Sequence, residues 1–292
     1  ELSMDLDLEK KLCIVEEEED DDEEEALKAF RSKIASYIDQ FMNDSDSGAA
    51  RLSLKKIEEC LNLLPKVNNA FTVLTAELDY PMNQWGSNCV EEYLRYTYTF
   101  MEDLNLITSC LHHLAQARVS LSIGLSLVEK SPSDAVQWLR PITTKEITRD
   151  CNTDEDDEVE EKKDKERAIS QALMDVNFVW FDVCCVSWGS LTGNRNLLEK
   201  RRRRSLIPAL EFLSDVKDEG IEVEEVREIN KVSEMLGGAV VAGRSCVEEV
   251  EELSGKVEDL EKMLDRLQAM VDRLFTEVLR TRNYLLDCLR RE

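Results

Sequence analysis

Residues 250–286 read VEELSGKVEDLEKMLDRLQAMVDRLFTEVLRTRNYLL. Apolar side chains recur at Val250, Leu253, Val257, Leu260, Leu264, Leu267, Val271, Leu274, Val278 and Leu285. The steps alternate between three and four, which keeps one stripe on one face of a long helix and demands a surface to cover it. Val at a with Leu at d suits a two-stranded coiled coil, and Lys256 with Glu261 or Glu277 with Arg282 would pair across a parallel dimer. Met263, Met270 and Phe275 widen the stripe beyond a narrow seam, while Thr281 and Cys288 weaken its end. A wide apolar face calls for more than one neighbouring helix, so the pattern favours a monomer folded on itself, with a homodimer as the alternative.

Working backwards, the same period appears in most of the chain. Leu27, Phe30, Ile34, Ile38 and Phe41 mark a helix over 26–42. Leu54 to Leu78 carries another, with Pro65 predicting a kink or break near Leu64. Asp79, Tyr80 and Pro81 form a turn, and a long helix runs from about Asn83 to Val128, roughly 65–70 Å at 1.5 Å per residue. Ser131-Pro132-Ser133-Asp134 is a start signal: Ser131 can cap, Pro132 fits the first helical position and Asp134 can complete a capping box. Further helices fit Lys165 to Gly189, 206–218 and 221–237, with a loop at 190–205 and a break marked by Gly237-Gly238 and Gly243. Ten Gly and five Pro in 292 residues are too few for the turns of an all-β fold. The expected fold is all-α: an elongated antiparallel bundle of long amphipathic helices.

The net charge of −25 is concentrated in two tracts. Residues 16–25, EEEEDDDEEE, contribute −10, and residues 150–166 contribute −7. Like-charge blocks repel themselves and stay solvated, so both read as disordered. The domain expectation is a disordered acidic segment at 1–25 and one bundle from 26 to 292, interrupted by an acidic disordered linker at about 142–164. Acidic tracts also disfavour direct binding to nucleic acid, whose phosphates repel them. Residues 1–25 lack the positive start and apolar core of a secretory signal and are too acidic for a transit peptide. Nine cysteines, odd in number and without a CxxC pair, read as free thiols in a reducing, cytoplasmic compartment.

The apolar stretch Leu173 to Trp188 is interrupted by Asp175 and Asp182, seven apart on one helix face, which reads as a buried helix rather than a membrane span. His112 and His113 are adjacent, so they diverge by about 100° and cannot grip one metal as an i, i+4 pair would. There is no GxxxxGK[ST], GxGxxG or GxSxG, and no catalytic, cofactor-binding or metal-ligating set can be named; no cofactor is expected. The basic run Lys200, Arg201, Arg202, Arg203 and Arg204 is the sharpest local feature. It suits a solvated loop, a nuclear localisation signal, an anionic-lipid contact or a partner for the acidic tracts.

Three stretches resemble the plant BYPASS family. Asp79, Pro81, Trp85, Val90, Tyr93 and Leu94, continuing through Leu104, form the first. Ser190-Leu191-Thr192-Gly193-Asn194-Arg195-Asn196-Leu197 follows the central apolar helix. Leu267, Val271, Leu274, Phe275, Val278, Leu279, Arg282, Leu285, Leu286, Leu289 and Arg290 form the last. The similarity covers most of residues 50–292 in order; the acidic tracts depart from it. The resemblance implies a plant helical protein needed for normal root and shoot development, restraining a mobile root-derived signal, without enzymatic activity. It implies a protein partner. Some related plant proteins are associated with exocyst-dependent secretion, which gives the alternative of a membrane-peripheral trafficking adaptor at the ER or plasma membrane.

Overall fold

The computed structural model describes residues 22–41, 53–143, 164–193 and 223–290. Within them the chain is a bundle of packed α-helices, and no strand occurs among the described residues. The first, α1, is described over 22–41, so residues 22–25 of the acidic tract are helical. Leu27, Phe30, Ile34 and Phe41 are buried, and even Glu23 is.

Helices α2 (Leu54–Leu61) and α3 (Leu63–Glu77) are separated at Asn62. The break expected near Leu64 falls slightly earlier because Pro65 lacks the N–H that would reach the Leu61 carbonyl four residues back. In α3, Pro65 occupies the first turn, where backbone N–H groups have no partner inside the helix. Ser53 caps α2, its hydroxyl accepting from the Lys56 N–H at 3.2 Å.

Asp79 then adopts φ +46°, turning the chain sharply. Met82–Gln84 forms a single 3-10 turn, so α4 (Ser87–Leu127) starts later than Asn83. It has 41 residues, about 60 Å at 1.5 Å per residue. The short α5 (Pro132–Trp138) has Pro132 in its first turn as expected. The Ser131 hydroxyl does not cap it; the Ser131 carbonyl instead accepts from Asp134 and Ala135 N–H, at 2.9 and 3.0 Å. The chain then runs without regular structure to Thr143, and Ile142 is buried. The acidic linker therefore cannot begin at 142, nor reach 164, where α6 starts; residues 144–163 lie outside the described residues.

Helix α6 (Asp164–Thr192) outruns the expected end at Gly189 by three residues. Ser190 and Thr192, placed in a loop by their polarity, stay helical because their hydroxyls donate back to the Val186 and Trp188 carbonyls. By length and composition α6 could cross a membrane, yet 67% of its most apolar window is buried in the bundle. A helix apolar on every side fits the centre of a large core equally well.

Helix α7 (Glu224–Val241) runs straight through Gly237-Gly238. Leu236 and Ala239 are buried on either side, and that packing outweighs the cost of about 1 kcal/mol per Gly in a helix. The stop comes at Gly243, with φ +61°. Its N–H bonds the Val240 carbonyl and that of Arg244 bonds Ala239, a Schellman cap. The helix expected at 206–218 lies outside the described residues. Helix α8 (Val247–Leu289), 43 residues long, closes the chain.

Two contacts fix the direction of the long helices. Arg282 near the end of α8 meets Leu94 near the start of α4, and Glu261 meets Arg118 at 2.9 Å. Rising along one helix descends the other, so α4 and α8 are antiparallel. Helix α6 instead runs parallel to α4: Cys89 lies at Glu166, Ser170 donates to Glu92 at 2.7 Å, and Trp180 stacks on Phe100 at 4.5 Å. The bundle is therefore mixed in direction. The chain manages this by returning along α4 through α5 and residues 139–143 before α6 begins.

Candidate interaction surfaces

The basic run Lys200–Arg204 lies in 194–222, outside the described residues. The ten stripe residues of α8 are described. Leu253, Val257, Leu260, Leu264, Leu267, Val271, Leu274, Val278 and Leu285 are buried, and Val250 is half-buried. What covers them is the chain itself, through α4, α7 and α2. Three of the four charges that would serve a parallel dimer have partners within the chain. Lys256 donates to Glu228 at 2.7 Å, Glu261 pairs with Arg118, and Arg282 donates to Thr97 Oγ1 at 2.7 Å and to the Leu94 carbonyl.

At the end of the bundle where α4 starts and α8 finishes, several elements converge. The Asp79 turn aims Trp85 inward, where its indole N–H donates to the Tyr80 carbonyl at 3.1 Å. The indole meets Phe71 edge-on at 6.1 Å and Tyr93 at 5.8 Å; Phe71 in turn meets Phe30 of α1 at 6.5 Å. This relay ties α1, α3 and α4 together with the directional contacts aromatic rings prefer. Burial pushes the Tyr93 phenol up to about 12, against the opposing pull of a hydrogen bond with Thr281 and the Arg282 charge. It therefore stays neutral in water near pH 7. Thr97 completes the junction: its hydroxyl donates to the Tyr93 carbonyl at 2.6 Å while accepting from Arg282.

Carboxylates from other helices guard two helix starts. Both oxygens of Glu225 accept from the Leu54 N–H, at 3.1 and 3.0 Å, at the head of α2. Burial raises the Glu225 pKa, and the Leu54 bond opposes that. The Glu166 carboxylate lies against Gly86 at the head of α4, in the space an added Cβ would take. Both positions favour negative charge at the positive helix end. Neither residue carried a signal in the sequence, since each contact joins helices far apart along the chain.

Two concavities among the described residues are open clefts. One, about 470 Å³, lies between the starts of α1 and α6, lined by Glu23, Lys28, Arg31, Asp164 and Arg167 among others. Two of its cations are ion-paired: Arg31 with Asp175 at 2.7 Å and Arg167 with Asp164 at 3.7 Å. The other, about 330 Å³, is lined by α4 alone, from Asn105 to Gln116, and includes His112 and His113. His113 Nε2 lies 2.6 Å from the Thr143 carbonyl; a carbonyl only accepts, so that nitrogen carries the proton. No hydrogen bond joins Ser109 to either histidine, and no group of three metal-binding side chains occurs among the described residues. The buried Cys60 thiol, pushed up to about 12 by desolvation, is held as an unreactive thiol. No disulfide joins Cys60, Cys89, Cys110, Cys184, Cys185, Cys246 or Cys288 among the described residues.

Compared with known proteins, the chain matches no family model, no curated protein and no solved structure. The class defined by the fold and its surfaces is an all-α helical bundle.

Proposed function

We propose that this chain is a non-enzymatic regulatory scaffold in plant root and shoot development, one that restrains a mobile root-derived signal. The observation that carries the reading is the junction described above. Two of the stretches that resemble the BYPASS family, around Trp85 and around Arg282, lie far apart in sequence yet pack on each other there. Residues that build one joint are more informative together than as scattered helical matches. A scaffold acts by holding helix faces and charged loops in fixed relation for a protein partner, and long rigid helices suit that task. The two clefts are open, and Arg31 and Arg167 in one of them are ion-paired, which supports binding over chemistry.

Proximity labelling in root cells tests this reading. The intact chain is compared with one carrying Gln at 200–204. A recurring set of soluble signalling proteins, the same for both, is the expected result. Absence of any reproducible protein neighbour overturns the scaffold. Enrichment of trafficking proteins that disappears in the Gln variant replaces it with the membrane-peripheral adaptor.

A further inference from the structure

Residues 132–143 differ from the rest of the bundle. Only Ala135, Leu139 and Ile142 are buried; Trp138, between them, is 42% exposed. Helix α5 has seven residues, too few to hold itself in water, and its start lacks a side-chain cap. Past it the chain runs without regular structure and is held by side chains that read its backbone. Asn230 of α7 accepts from the Ile142 N–H at 2.6 Å and donates to the Ile142 carbonyl at 3.0 Å. His113 of α4 donates to the next carbonyl, that of Thr143. A single amide gripping both polar groups of one residue is indifferent to that residue's side chain.

The seat beneath is shaped for a bulky apolar residue. Gly124, buried in α4, leaves room for Leu139; a Cβ there would come within 2.9 Å of Leu139 Cδ2 and 3.2 Å of its backbone N. The walls do not depend on the segment, because α4 and α7 also pack against α8. One turn along α7 from Asn230, on the same side, Ser233 is fully buried with a hydroxyl that has no hydrogen-bond partner among the described residues.

We propose that residues 132–143 are an internal occupant of a peptide groove between α4 and α7, which a partner segment enters when they leave. The partner is a short peptide presenting two apolar side chains, spaced like Leu139 and Ile142, and one open peptide unit for Asn230. Such an arrangement is autoinhibitory: the internal segment competes with the partner, and the partner's apparent affinity is reduced by the fraction of closed molecules. This deepens the scaffold reading by naming its partner's chemistry, and rests on it only for the biological setting.

The test uses the full chain and a fluorescein-labelled peptide of residues 131–143, followed by fluorescence anisotropy. A variant with Leu139→Asp and Ile142→Asp loosens the internal copy. It is expected to bind the peptide at least about tenfold more tightly than the unaltered chain. Adding Asn230→Ala to that variant is expected to remove at least about tenfold of the affinity, since the amide grip is lost. Equal or absent binding by the unaltered chain and a helical double variant overturns the proposal. Hydrogen exchange on the unaltered chain checks it without any mutation. Amides of 132–143 are expected to exchange at least about a hundredfold faster than those of Leu253 to Leu274 in α8. Equally slow exchange in both overturns the groove while leaving the developmental reading to its own experiment.

Discussion

Leu260→Asp leaves the chain without a cooperative unfolding transition. Leu260 is fully buried midway along the α8 stripe. Truncating a buried Leu costs about 2–5 kcal/mol, and an unpaired carboxylate placed there adds several more or is forced to protonate. A domain has only about 5–15 kcal/mol to lose. Urea titration followed by far-UV circular dichroism checks this; a sharp transition near the original midpoint would contradict it. Val250→Asp supplies the contrast, because that end of the stripe is half-buried. It is expected to cost less than about 1.5 kcal/mol. The unaltered chain's midpoint is expected to be independent of protein concentration, since its own helices cover the stripe; an obligate dimer's midpoint would rise with concentration.

Trp85→Ala lowers stability by about 3–5 kcal/mol, the range for emptying a buried aromatic site. Trp85 is 7% exposed and stands between Phe71 and Tyr93 in the relay reaching α1. Removing it leaves a cavity where three helices meet and strips the Tyr80 carbonyl of its donor. Trp85→Phe separates the two contributions. It keeps a ring but loses the N–H, so its expected cost is about 1–2 kcal/mol plus a small packing loss. Urea midpoints of both variants provide the check. An Ala variant within about 1 kcal/mol of the original would mean that the relay contributes little.

What could be read from the sequence follows a physical divide. The stripe of α8 and the body of α4 repeat over about forty residues, so their periodicity outvoted local exceptions. Local signals misled where tertiary packing decided. Gly237-Gly238 reads as a break by propensity, yet the helix continues because Leu236 and Ala239 are buried beside them. Ser190 and Thr192 read as loop by polarity, yet their hydroxyls are satisfied inside the helix. The acidic residues 22–25 read as solvated by charge alone, yet they are helical and Glu23 is buried.

The surfaces were less legible than the fold. The stripe residues could be listed, but whether one chain or two covers them depended on the partners of Lys256, Glu261 and Arg282. Asn230 and Gly124 were invisible beforehand, because a polar residue on a helix face and a glycine in a helix acquire meaning only from what lies against them. The same holds for Glu225 and Glu166, whose roles are set by helix starts distant in the chain. The short helix at 132–138 was announced by its start signal, but its three buried side chains have no period that shows what they pack against.

Reciprocal grafting tests the central claim most directly. Unaltered shoots are grown on rootstocks lacking this protein, with and without the full chain restored in the root. The account predicts arrested shoots on the deficient rootstock and normal growth once the chain is restored. Normal shoots on the deficient rootstock would contradict it.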